Sequence, residues 1–265
     1  MGLYNNRIVV KVGTSTLTND AGKSDLRTTD RLACVLSDIQ NMGYEVVLVS
    51  SGAIAVGRNK LNMTAKPDSM RMKQAAAAVG QCSLMYLYDK FFGDYDKTVA
   101  QTLLNADDIE EEEKKENLIN TFNALLEMGV IPIVNENDSV SYKEIESEDR
   151  LFGDNDMLSA VVAVLCRAKH LVIFSDLDGF YDHDPRLYAN AQLIDQIDTI
   201  DDSVYALAGG AGSRRGTGGM RTKLQAASLA TSQGTNTIVT NGKRPEVLYD
   251  IVKGGRAGTL FPGKI

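Results

Sequence analysis

The sequence predicts an α/β protein built on a mostly parallel sheet with helices on both faces, and three observations carry that expectation. Short runs rich in β-branched residues recur along the chain, amphipathic segments separate them, and polar turns bearing glycine follow several of the runs. Strands buried on both faces read as continuous apolar stretches, which is how parallel sheets under helical cover are written. In such sheets ligands bind beyond the carboxyl ends of the strands, so the turns after the runs are where function is sought.

In chain order, residues 7–12, 45–49, 130–134, 171–174 and 237–239 read as buried strands. A helix is expected over 28–42, because Leu32, Val35, Leu36 and Ile39 fall on one stripe and Gly43 follows as a stop. A second helix, over 69–92, carries the Ala75 to Ala78 run, small residues suited to a close helix contact. The charged run 107–116 opens a third helix with negative charge at its start and with Leu118, Phe122 and Leu125 as its apolar positions. An apolar helix begins at Met157. Residues 141–152 and 208–219 are the candidates for mobile loops, the first mixing charges with turn formers and the second rich in glycine with Arg214 and Arg215.

Composition bounds the function. With 265 residues, 43% of them hydrophobic, the chain is long enough for one large core or two modest ones sharing a sheet. A net charge of −7 disfavours a nucleic-acid surface, since binding phosphate backbones needs a clustered positive field. If the ligands are anions, a few placed cations and backbone amides must attract them. No apolar run approaches the roughly 20 residues that cross a bilayer, and the expected setting is the cytoplasm. Cys34, Cys82 and Cys166 are odd in number, far apart and on helical segments, so they suggest packing rather than disulfides or zinc.

Six fragments carry chemistry. Lys11-Val12-Gly13-Thr14-Ser15 ends the first strand with a lysine beside a glycine whose amide can approach an oxyanion. Ser50-Ser51-Gly52-Ala53 opens a helix where unpaired amides make an anion site, although a plain capping serine reads the same way. Asn135-Glu136-Asn137-Asp138 is very polar for a turn behind an apolar strand and is able to read the ammonium and carboxylate of an amino acid. Gly153-Asp154-Asn155-Asp156 precedes the Met157 helix; capping explains one of its polar residues, and the others suit holding the water shell of Mg²⁺ or orienting lysines. Ser175-Asp176-Leu177-Asp178-Gly179 and Asp184-Pro185-Arg186 form a turn-rich stretch able to embrace a base and ribose. Gly216-Thr217-Gly218-Gly219-Met220-Arg221-Thr222-Lys223 opens a helix with amides and a lysine, and it matches neither the P-loop nor the dinucleotide fingerprint.

Taken together and in this order, the fragments resemble the amino acid kinase family, in its glutamate 5-kinase branch, over nearly the whole chain. That resemblance implies a three-layer αβα sandwich forming a single domain over residues 1–265. Its first part, 1–167, binds glutamate and its second, 168–265, binds ATP. By the same resemblance Lys11, Lys223 and Asp156 are catalytic. Ser51, Gly52, Asn135, Asp138, Asp154 and Asn155 bind substrate. Lys11, Ser175, Asp176, Thr217, Gly218, Gly219, Met220, Arg221, Thr222 and Lys223 bind ATP. Mg²⁺ accompanies ATP, with no protein ligand for it assigned. The resemblance further implies homo-oligomers, feedback inhibition by proline and delivery of an unstable acyl phosphate to glutamyl phosphate reductase on the route to proline. Many members carry a C-terminal PUA domain, associated with RNA binding, and this chain is expected to lack it.

The implied chemistry is consistent with the residue inventory. A carboxylate with a pKa of about 4.3 is already ionised at pH 7, so its attack on a phosphoryl group requires no general base. His170 and His183 stand outside the motifs accordingly. Rival readings are a kinase of the same fold with another small acid as acceptor, a nucleotide-binding sensor that performs no chemistry, and a dinucleotide oxidoreductase.

Overall fold

The computed structural model describes residues 4–19, 23–140, 154–208 and 219–264. Its first half runs β1 (Tyr4–Val12), α1 (Thr14–Leu17), α2 (Leu26–Asn41), β2 (Glu45–Ser50), α3 (Ala53–Lys60), α4 (Met70–Gly93), β3 (Val99–Leu104), α5 (Asp107–Glu110), α6 (Glu112–Glu127) and β4 (Ile131–Glu136). The second half runs α7 (Asn155–Leu165), β5 (Ala168–Ser175), α8 (Asp202–Leu207), α9 (Met220–Ser232), β6 (Asn236–Asn241), α10 (Val247–Val252) and β7 (Thr259–Phe261).

Among the described residues seven strands form one sheet in the order β3-β4-β2-β1-β5-β6-β7. Every pairing is parallel except β6 with β7. The chain winds outward from β1 through β2 to β4 and β3, then returns to the other flank of β1 at β5. Winding therefore reverses at β1, which opens a crevice at the strand ends there.

Two cores make the three layers. On β1, Ile8, Val10 and Val12 pack among α2, α4 and α10, while Val9 packs among α6, α7 and α9. The same alternation sends Val46 and Leu48 of β2 to the first face and Val47 and Val49 to the second. Helix α2 buries Leu32, Val35, Leu36 and Ile39 as the sequence predicts, and it is capped by Asp25, whose side chain accepts from the Thr28 amide at 3.0 Å.

Helices α3 and α4 touch through their backbones. A Cβ on Gly57 would stand 1.8 Å from Ala76 O, and one on Gly80 would stand 1.7 Å from Ala53 O, so only hydrogen fits at either position. Ala76 and Ala77 are buried in this contact, which is the close approach expected of the alanine run, whereas Ala75 and Ala78 face solvent.

Four details depart from the sequence expectation. Strands β3 and β7 had no counterpart, because β3 is an edge strand of mostly half-buried residues and β7 is three residues long. The charged run does not form one helix: Glu111 takes an extended conformation, φ −86° and ψ 113°, between α5 and α6. In α6 the third buried position is Leu126, with Leu125 half-buried. Helix α7 starts at Asn155, ahead of Met157. The loops proposed at 141–152 and 208–219 fall almost wholly outside the described residues.

Candidate active site

The strand ends bring three ionisable groups into one buried cluster. Lys11 shares its face of β1 with Val9 and so points toward α7, where its Nζ lies 2.6 Å from Asp156 Oδ1. Lys223, one turn into α9, places its Nζ 2.9 Å from Asp156 Oδ2. Thr222 adds a hydroxyl 3.0 Å from the same Oδ2 and 2.9 Å from Gly219 O. Lys11 is 5% exposed, Lys223 7% and Asp156 0%, which removes these charges from the screening that makes surface ion pairs weak.

Burial pushes the Asp156 carboxyl up, but Lys11 and Lys223 together outweigh it and hold the group down at about 2. Burial likewise works against the charge on Lys11, and Asp156, with Asp154 behind it, raises the ammonium above its ordinary range. The Asp156 carboxylate is thus ionised at neutral pH and faces two lysine side chains at once. Two buried lysine side chains converging at the strand ends suit an anion arriving there. A Cβ on Gly13 would stand 3.5 Å from Lys11 Nζ, in ordinary van der Waals contact.

A neutral polar chain adjoins the cluster on the β2 and β4 side. Asn155, the first residue of α7, directs its Nδ2 at Ser51 Oγ (2.9 Å), Ser50 O (3.0 Å) and Asn135 Oδ1 (2.9 Å). Asn135 Nδ2 donates in turn to Gln81 Oε1 at 2.9 Å. Asp154 caps α7 by accepting from the Asp156 amide at 3.3 Å, and its Oδ2 is buried with no partner among the described residues. Asp138 follows β4 and is half-buried; burial and the charge of Glu136 raise its carboxyl to about 7. Gly52 takes φ 102°, the left-handed region that favours glycine, and caps α3. The Ser51 amide is already committed to Val12 O at 3.0 Å, so the expected anion site at this turn loses one donor.

On the β5 and β6 side, Ser175 Oγ donates to Asp176 Oδ1 and accepts from the Leu177 amide, both at 3.3 Å. Gly219 caps α9 in an extended conformation with no side-chain acceptor on the helix amides. Met220 packs against the α7 core, and Arg221 lies over the Tyr205 ring, 5.8 Å from its centroid. Arg186 forks onto Asp184 with two bonds of 2.9 Å. Thr217 and Gly218, with Gly153, Arg214, Arg215 and Gly216, lie outside the described residues.

Neither histidine joins the cluster. His170 is in β5 paired with Ile8, near the opposite end of the sheet from Ser175, and burial, followed by Lys169, lowers it to about 4. His183 is exposed beside Asp182.

Sequence reasoning missed Gln81 and Tyr88, both on α4. Tyr88 is buried and shares a 2.8 Å hydrogen bond with Ser50 Oγ under the β2 turn. A signal existed for Gln81: it falls in line with the buried positions Ala77, Leu84 and Tyr88, where a polar group needs a partner.

Comparison with known proteins points to one family. A profile of the amino acid kinase family matches residues 6–241. The chain is 55% identical over 258 residues to a glutamate 5-kinase of Clostridium perfringens, covering 97% of this chain and 96% of that one. It is 50% identical to a glutamate 5-kinase of Listeria innocua, covering 97% and 93%. Among solved structures, carbamate kinase from Giardia lamblia bound to AMP-PNP superposes with a TM-score of 0.66 at 16% identity over 98% of each chain, a likeness of fold.

Proposed function

The chain belongs to the amino acid kinase family, and from that membership we propose that it transfers the γ-phosphoryl group of ATP to the side-chain carboxylate of L-glutamate, giving L-glutamyl 5-phosphate. The observation that carries this reading is the convergence of Lys11 and Lys223, from opposite ends of the sequence, on the single buried carboxylate of Asp156.

In this reading the nucleophile is the glutamate carboxylate, ionised at neutral pH, and no side chain needs to remove a proton. The work of the site is to align two anions and to neutralise charge in a loose transition state. Lys11 and Lys223 flank the transferring group and both contact ATP, with Asp156 fixing the two ammoniums. Residues 1–167 form the acceptor half and 168–265 the nucleotide half, meeting along β1 and β5.

On the acceptor side Ser51, Gly52, Asn135, Asp138, Asp154 and Asn155 hold glutamate, Asp138 facing its ammonium. On the nucleotide side Ser175, Asp176 and residues 217–223 hold ATP. Mg²⁺ fits the donors present: Asp156 is committed to the lysines, whereas Asp154 Oδ2 is buried without a partner among the described residues and suits a water of the ion's shell. When bound with ATP, the ion would neutralise charge on the phosphate oxygens.

Family membership also supports a homo-oligomer, a cytoplasmic setting, inhibition by proline and delivery of the acyl phosphate to a reductase. Among the described residues no helix is long and apolar enough to cross a membrane.

The test is ATP-dependent hydroxamate formation by purified protein with Mg²⁺ and hydroxylamine, comparing glutamate, acetylglutamate and aspartate. Signal with glutamate alone supports the assignment. Signal with another acid keeps the chemistry and changes the acceptor, and absence of signal with all three rejects it.

A further inference from the structure

We propose that Gln81 is a positioning residue for the acceptor, setting the orientation of Asn135 and through it Asn155; the proposal rests on the glutamate kinase reading above. The observation is a relay of amide groups with one direction. Gln81 Oε1 accepts from Asn135 Nδ2 at 2.9 Å, so the Asn135 carbonyl is turned the other way, and its Oδ1 accepts from Asn155 Nδ2 at 2.9 Å. Asn155 Nδ2 also reaches Ser51 Oγ at 2.9 Å. The Ser50 carbonyl, which accepts from Asn155 Nδ2 at 3.0 Å, gives the relay its direction, and Gln81 Oε1 holds the far end of Asn135 in the matching orientation.

The chemistry makes that choice consequential. An asparagine side chain is nearly symmetric in shape but donates at one end and accepts at the other. Were Asn135 to rotate by half a turn, its NH₂ would face the NH₂ of Asn155, two donors in opposition. Asn155 would then lose one of its three acceptors and be held by Ser50 O and Ser51 Oγ alone. Asn135 is 2% exposed, so water is poorly placed to substitute for Gln81.

The fold holds Gln81 in place. Its neighbour Gly80 is the residue at which α4 meets Ala53 O of α3, leaving no room for a side chain, so the helix cannot shift along its partner without a clash. Tyr88, two turns on, anchors the same helix face to Ser50. Gln81 is thus presented to the end of β4 from a rigid support that also carries the β2 turn. The Lys11, Lys223 and Asp156 cluster lies outside the relay, which predicts an effect on acceptor binding separate from nucleotide binding.

The experiment compares Gln81→Met, which keeps length and volume but offers no comparable acceptor, with Gln81→Glu, which keeps an acceptor oxygen. In the hydroxamate assay Gln81→Met is expected to raise KM for glutamate about tenfold, with KM for ATP unchanged and kcat within about threefold, while Gln81→Glu restores KM to within about threefold of wild type. A KM for glutamate within twofold of wild type in Gln81→Met, an equal rise in KM for ATP, or failure of Gln81→Glu to recover would overturn the proposal. Wild-type turnover with glutamate in the same plates tests the reaction itself. Independently of turnover, the side-chain amide NMR signals of Asn135 and Asn155 should shift together in Gln81→Met and hold their positions in Gln81→Glu; a shift confined to Asn135 would reject the relay.

Discussion

The Lys11 ammonium and the Asp156 carboxylate meet at 2.6 Å, one from the first strand and the other from the first turn of a helix beyond the middle of the chain, and both are buried. Replacing one member of such a group leaves its partners charged and dry. Asp156→Asn keeps the shape and abandons two ammoniums, so it should lower stability by about 3–5 kcal/mol and turnover by orders of magnitude. Thermal unfolding and hydroxamate formation measured on one preparation check both effects.

Lys11→Ala and Lys223→Ala should each slow the chemical step by ~10²–10³-fold, the usual cost of removing one fixed donor from developing charge. The two losses should combine to less than their product, because both ammoniums are tied to one carboxylate. Single-turnover rates with saturating substrates measure this, and full turnover in either variant would count against the phosphoryl-transfer role.

Acid should dissolve the cluster within a defined window. The Asp156 carboxyl is held at about 2 in the folded chain against an ordinary value of 3.8. Its ionised form therefore favours folding above about pH 4, and that contribution is lost as pH falls from 4 through 2. Urea unfolding at pH 5, 3 and 2 should show a fall in stability that is shallower in Asp156→Asn.

Asp138 shifts in the other direction, up to about 7, under burial and then Glu136. Only its ionised form attracts an ammonium. KM for glutamate should therefore fall as pH rises from 6 to 8, with KM for ATP flat. Asp138→Asn should raise KM for glutamate about tenfold, equivalent to ~1.4 kcal/mol, and remove its pH dependence.

The α3–α4 contact gives a test free of catalysis. Gly57→Ala sets a methyl group 1.8 Å from Ala76 O and should cost at least about 1–3 kcal/mol as the helices part. Gly93→Ala, in the last turn of α4 with nothing within 4 Å of its Cβ, should be neutral or slightly stabilising. Melting temperatures of the two variants decide it.

What could be read from the sequence divides along physical lines. Central strands such as β1 and β5 announce themselves because each carries a run of buried apolar residues, Ile8–Val10 and Leu171–Phe174. Edge strand β3 does not, since half-burial tolerates residues like Gln101 and Thr102. Lys11, Asp156 and Lys223 were singled out because each sits in a fragment that carries the family resemblance, but their convergence is a property of strand order and of the α7 and α9 packing. Gln81 was passed over because a glutamine within a helix is ordinary until its neighbours in space are known. The Ser51 amide was counted as available because strand pairing cannot be counted from one segment.

The placement of β1 has a further consequence. It pairs with β2 through Lys11 and Val49 and with β5 through Lys11 and Ile173, so one backbone segment borders the strands that precede α7 and those that follow it. Under the proposed reaction the register of this single strand sets the span between the two reactants, and loops on either flank can diverge without altering it. Such a frame is modular: the acceptor pocket can be exchanged while the gauge that brings the two anions together stays the same.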